Sequence, residues 1–194
     1  MIKSVCVYCA SSNQVDESYL QSAFELGKIF AKQNIEIVYG GGGSGLMGKL
    51  ANGALHEGGK VTGIIPGFMK DVKWDHPDVA NMQIVASMHE RKRSFIEQSD
   101  AIVALPGGPG TFEELLEAIT LKQLGQHTHP IVIVNLNNYF NPLIALLQQA
   151  IDQKFMAPHH ALCWNVVNTI DEVIPAIINA HPWSKDAINT AAMK

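Results

Sequence analysis

AIVALPGGPGTFEELLEAIT, Ala101 to Thr120, holds a strand, a turn and a helix in one short stretch. Ala101–Leu105 is a run of apolar and β-branched residues closed by Pro106, and from Thr111 onward apolar residues recur at helical spacing. A strand that is apolar at every position needs cover on both faces, which a parallel sheet between two helical layers supplies. The alternation repeats on either side. Val5–Tyr8, Ile35–Tyr39, Val61–Ile65, Gln83–Val85 and Ile131–Asn135 read as strands, and Glu17–Gln33, Leu46–Glu57, His89–Gln98, Thr111–Leu124, Tyr139–Gln153 and a stretch after Thr169 as helices. The pattern predicts an α/β fold: a Rossmann-like, doubly wound, mostly parallel sheet with helices on both faces and right-handed crossovers. The 194 residues fit a single nucleotide-binding domain over 1–182, followed by a tail, 183–194, that is either a frayed end or a short helix packed on a neighbour.

Composition narrows the function. With 47% hydrophobic and 16% charged residues and a formal net charge of −4, the chain is globular and has no basic footprint for a nucleic-acid polymer. The N-terminus has no signal-peptide pattern and no apolar run reaches the roughly 18 residues of a membrane helix, so no membrane association and a cytoplasmic location are expected. The 3 cysteines do not form a disulfide framework. Cys6 and Cys9 make a C-x-x-C, but inside a strand positions i and i+3 point to opposite faces.

In open α/β sheets ligands lie beyond the carboxyl ends of the strands, so chemistry belongs in the loops after Tyr8, Tyr39, Ile65, Val85 and Leu105. The loop GGGGSGLMGKLANGA, Gly40–Ala54, contains G-x-G-x-x-G, but the next strand ends in Pro66 without the acidic residue that holds a dinucleotide ribose. It nearly matches a Walker A motif, with Leu50 where a hydroxyl must reach magnesium. Its glycines then serve a tight turn and close helix packing, or shape a pocket. Pro66–Met82, with Gly67, Pro77 and several charges, reads as an excursion over the active-site edge. The turn at Gly107, Gly108 and Gly110 crowds backbone N–H groups at a helix start, a natural phosphate site. Thr111 with Glu114 also fits a T-x-x-E capping box that needs no ligand, and the turn by itself fits either role. A second segment, Met88–Arg93 (MHERKR), brings cations to the same edge.

VCVYCASS, VYGGGGSGLMGKLA, MHERK and PGGPGTFEE together closely resemble the Lonely Guy (LOG) family of cytokinin riboside 5′-monophosphate phosphoribohydrolases, from about Val5 to Leu147. The resemblance implies a homodimer with sites near the subunit interface, no cofactor and no metal, and hydrolysis of a nucleoside 5′-monophosphate, AMP or an N6-substituted AMP, to free base and ribose 5-phosphate. It puts the catalytic arginine at Arg91 and the catalytic glutamate at Glu114. Lys92, Gly107, Gly108, Gly110, Thr111, Glu113, Thr120, Gly43 and Ser11 fall at its substrate-binding positions. Pro109, Leu121 and His129 depart from the family pattern and bear on specificity. Some relatives carry a lysine decarboxylase label, which no pyridoxal phosphate pattern supports here.

Cleaving the C1′–N bond builds positive charge on the ribose and negative charge on the base. Glu114 is expected to stabilise the cation and handle the water, and Arg91 to offset charge on the base or fix the nucleotide. The alternatives are a non-catalytic carrier of a nucleotide or molybdenum cofactor, and a nicotinamide oxidoreductase. His127, His129, His159 and His160 lack metal-ligand spacing and are expected at the surface.

Overall fold

The computed structural model describes residues 2–191; Met1 and the tail residues 192–194 lie outside the described residues. Seven strands form one sheet: β1 (Ser4–Tyr8), β2 (Glu36–Tyr39), β3 (Val61–Pro66), β4 (Asn81–Val85), β5 (Ala101–Ala104), β6 (Ile131–Val134) and β7 (Asn165–Val167). Their order is β4-β3-β2-β1-β5-β6-β7, and every neighbouring pair is parallel. The chain turns from one half of the sheet to the other between β1 and β5, which is where such a fold opens its crevice. β7 was not expected: three residues, Asn-Val-Val, fall below the length at which alternation can be read.

The helices are α1 (Glu17–Lys32), α2 (Gly45–His56), α3 (Gly67–Asp71), α4 (Met88–Glu97), α5 (Pro109–Gln123), α6 (Asn141–Asp152) and α7 (Val173–Ile178). Strand parity divides the core as a two-residue period requires. Val5, Val7, Ile37, Tyr39, Val103 and Val132 pack under α1, α2 and α7. Cys6, Tyr8, Val38, Ile102, Ala104 and Ile133 pack with α4, α5 and α6. Cys6 and Cys9 accordingly lie in opposite cores, buried and unpaired. Where α1 crosses α2, a Cβ on Gly27 would strike the Leu50 backbone and one on Gly53 the Phe24 backbone, so these two glycines set the helix separation.

One expectation changes. α5 begins at Pro109 with Gly108 as an extended cap residue and no side-chain cap. Proline suits the first helical position, so the helix starts two residues early, Thr111 falls inside the first turn, and the Thr111–Glu114 capping box does not form. Of the tail, Lys185–Thr190 forms a short 3₁₀ helix, and Trp183 Nε1 donates to the Lys122 carbonyl at 2.5 Å, which holds this described part against the end of α5. No described helix is long and apolar enough to cross a membrane.

Candidate active site

Ser87 caps α4 by accepting from the Glu90 amide at 3.2 Å, while Glu90 accepts from the Ala86 amide at 2.8 Å. This fixes the first turn of α4 at the carboxyl edge of the sheet and turns Arg91 inward. Its Nε donates to the Ile64 carbonyl at 2.9 Å and its Nη2 to the Gly40 carbonyl at 2.8 Å, so the guanidinium ties the ends of β3 and β2 together. Phe95 lies under it, with its ring centroid 5.1 Å from the guanidinium carbon. The remaining edge faces α5: Nη1 stands 3.6 Å from Oε1 of Glu114.

Both members of this pair are buried, Arg91 to 6% exposure and Glu114 to 8%. Burial pushes the Glu114 carboxyl up to about 7; the Arg91 charge pulls the other way without overcoming it, and Glu113 adds to the rise. Burial also lowers the Arg91 guanidinium, opposed by Glu114. A carboxyl that titrates near neutrality beside a fixed cation has the character of an active-site acid or base.

Beside the pair lies the glycine turn. Gly107 is tightly packed, since a Cβ there would strike the Thr111 side chain, and its carbonyl accepts from Tyr139 Oη at 2.6 Å. Gly108 and Gly110 face open space. The start of α5 has no side-chain cap, an arrangement whose first-turn amides and helix dipole can receive an anion. Pro109 has no N–H, so the donors fall to the glycines and Thr111.

The other expected residues divide. Lys92 joins α4 to α5 through Glu113 at 2.5 Å and Glu117 at 3.3 Å, and its Glu113 hydrogen bond raises its pKa. Glu113 is thereby occupied with Lys92, at the exposed side of α5. Ser11 and Gly43 line, with Arg91, a cavity of about 470 Å³. The Gly43 amide is taken by the Trp74 carbonyl at 3.0 Å. Thr120 lies apart, on the exposed face of α5, its hydroxyl donating to Leu116 O at 2.8 Å. Residues that the motifs did not single out complete the region: Asn13, whose Oδ1 accepts from the Gly45 amide at 2.7 Å, and Met47, Met69, Trp74 and Asp75 in the cavity wall. For Met69, Trp74 and Asp75 the charge and proline content of 66–82 was the one signal.

Two of the four histidines expected at the surface are buried. His127 and His160 are each 2% exposed: His127 lies by Lys122 and His129, and the His160 ring sits 4.4 Å from that of His159, which in turn stacks on Trp183. Burial pushes His127 down to about 3, so it is neutral.

A family model described as possible lysine decarboxylase matches residues 47–177. A cytokinin riboside 5′-monophosphate phosphoribohydrolase of Arabidopsis thaliana is 43% identical over 157 residues, 80% of this chain and 73% of that protein. The chain belongs to the LOG family. A probable LOG enzyme of Oryza sativa subsp. japonica is also 43% identical over 80% of this chain, and the match spans 64% of the rice protein. Among solved structures, the molybdenum cofactor carrier protein of Chlamydomonas reinhardtii superposes with a TM-score of 0.70 over 93% of this chain and 98% of its own at 21% identity, which shows a shared fold. Within the LOG family member described here, the segment matched by the family model carries both Arg91 and Glu114.

Proposed function

We propose that this chain hydrolyses the N-glycosidic bond of a nucleoside 5′-monophosphate of the adenine or N6-substituted adenine class, releasing the free base and ribose 5-phosphate. The observation that carries the reading is the buried Arg91–Glu114 pair, 3.6 Å apart, beside an uncapped glycine-rich helix start. The phosphate binds the amides of the 107–111 turn and brings C1′ toward Glu114. As a carboxylate, Glu114 faces the developing ribosyl cation and accepts a proton from the attacking water. Arg91 already spends Nε and Nη2 on backbone carbonyls, so it acts as a fixed charge: it keeps Glu114 from rising further and offsets negative charge on the departing base.

The test is chromatography of the products from AMP and from N6-isopentenyladenosine 5′-monophosphate. Base and ribose 5-phosphate are expected from both, with adenosine at least about a hundredfold poorer than AMP in kcat/KM because the remote phosphate supplies positioning energy. Nucleotide binding without base release would favour the carrier reading, and equal rates on AMP and adenosine would remove the phosphate turn from the mechanism.

The family label of a lysine decarboxylase does not suit Lys92, whose charge acts on Glu114. An imine-forming lysine needs a depressed pKa, and Lys92 is held charged by Glu113 and Glu117. The reading extends to a cytoplasmic homodimer. Exposed apolar residues occur on α3, β4 and α5 (Phe68, Ile84 and Leu116), and a substrate role for the outward-facing Thr120 implies contact across a subunit boundary. Sedimentation should give twice the 21.1 kDa chain mass; a monomer with full activity would discard the dimer.

A further inference from the structure

The segment between β3 and β4 is longer than the connection needs, and it is fastened down. After α3, Lys73 takes a left-handed conformation, φ 58°, where glycine is the ordinary choice, and this turn delivers Trp74. Strain of that kind in a long side chain persists where the surrounding structure enforces it. The next residues are then tied to the glycine loop after β2. Gly43 N donates to Trp74 O at 3.0 Å, His76 N donates to Gly41 O at 2.9 Å, and Asp75 forms an antiparallel bridge with Gly42.

His76 is the fastening. It is 4% exposed, and its Nδ1 accepts from the Asp78 amide at 3.2 Å. That acceptor role puts the ring proton on Nε2, which donates to Asn52 Oδ1 of α2 at 3.2 Å. Burial holds the imidazole below its usual pKa, so this neutral tautomer is the working state. Trp74, by contrast, is 61% exposed while also lining the cavity that contains Arg91. A large indole left open to water beside a cavity, on a segment secured by a buried side chain, is arranged for a flat apolar guest.

The sheet order says which part of the nucleotide arrives there. The phosphate turn follows β5, and the cavity lies over the ends of β2 and β3, with β1 between. Two strand spacings amount to about 10 Å, the scale of the reach from a nucleotide's phosphate to its base. Residues 107–111 do not line the cavity, so the two sites engage opposite ends of one ligand. Met47 and Met69 give the wall adaptable apolar surface, and Asp75 offers a carboxylate to an exocyclic amino group.

We infer that Trp74 is a specificity-determining residue that stacks on the purine base, and that His76 is the positioning residue holding the 73–77 strap against the glycine loop for that contact. The inference rests on the nucleotide reading of the site above.

It is tested by calorimetric titration of AMP and, separately, of ribose 5-phosphate, all in a Glu114→Gln background that slows turnover. Adding Trp74→Ala should weaken AMP at least about tenfold and leave ribose 5-phosphate within about twofold, because stacking on an aromatic ring belongs to the base alone. Trp74→Phe should restore most of the AMP affinity. His76→Ala should reproduce the Trp74→Ala pattern; a structural lesion would weaken both ligands together. Unchanged AMP affinity in Trp74→Ala, or equal losses for both ligands in the His76 variant, overturns the assignment. Trp74 is exposed, so its variants report even if His76→Ala fails to fold. Failure of the hydrolase reading shows separately, as no base released by the wild-type chain.

Discussion

Glu114→Gln should lower kcat at least about a hundredfold while the folded chain gains stability at alkaline pH. The amide keeps the size of the carboxyl and removes its charge. In the wild-type fold burial raises the Glu114 carboxyl from an ordinary 4.5 to about 7. A folded-state pKa above the unfolded value means that the folded chain binds the proton more tightly. The resulting stability is fully present below about 4.5, declines as pH rises toward about 7, and is gone above it. The ionised form costs the wild type on the order of 3 kcal/mol, the free-energy equivalent of that shift. Glutamine, like the protonated acid, avoids this cost, and because the Arg91 attraction is already contained in the shift, that figure sets the scale of the gain. Thermal melts should show the variant near wild type at pH 5 and above it at pH 8. Initial rates should show wild-type kcat/KM rising through about 7, with that limb absent from the variant. Full turnover in the variant would remove Glu114 from the chemistry, and a lower melting temperature at pH 8 would mean that Arg91 needs the charge for folding.

The legible part of this architecture was whatever depends on local order. Apolar strands such as AIVA and IVIV, mostly bounded by Gly, Pro, Asn or Ser, placed β1 to β6 within a residue or two. The Glu114 environment was not legible, because its pKa depends on burial and on an arginine from another helix. The helix start was misread by two residues because Pro109 extends α5, a case of one local rule overriding another. His127 and His160 look like surface histidines in sequence, since nothing local says that folding will leave each of them only 2% exposed. Lys92 shows the opposite: its charge was plain, but its two acidic partners lie a helix away.

Arg91→Met carries the second large effect, and it separates holding the fold from tuning the acid. Methionine keeps apolar bulk over Phe95 but removes donors from the Gly40 and Ile64 carbonyls, at about 1–3 kcal/mol for each acceptor left unsatisfied. That loss is independent of pH. The second loss is not. Arg91 is the main influence pulling the Glu114 carboxyl down, so without it the carboxyl rises beyond about 7 and stays protonated at neutrality. The folded variant thus avoids an unpaired buried charge at low pH and meets that cost as pH climbs. Its stability deficit against wild type should be smallest near pH 6 and widen through pH 8 to 9. The same protonation withholds the carboxylate from the ribosyl cation, so turnover at pH 7 should fall at least about a hundredfold and recover partly as pH rises. Arg91→Lys should recover part of the charge effect but little of the carbonyl bridge, because one ammonium cannot span both strand ends in the fixed fork of a guanidinium. A pH-independent stability deficit together with an unshifted rate profile would show that Arg91 only braces the sheet edge, and would leave the position of the Glu114 titration to burial alone.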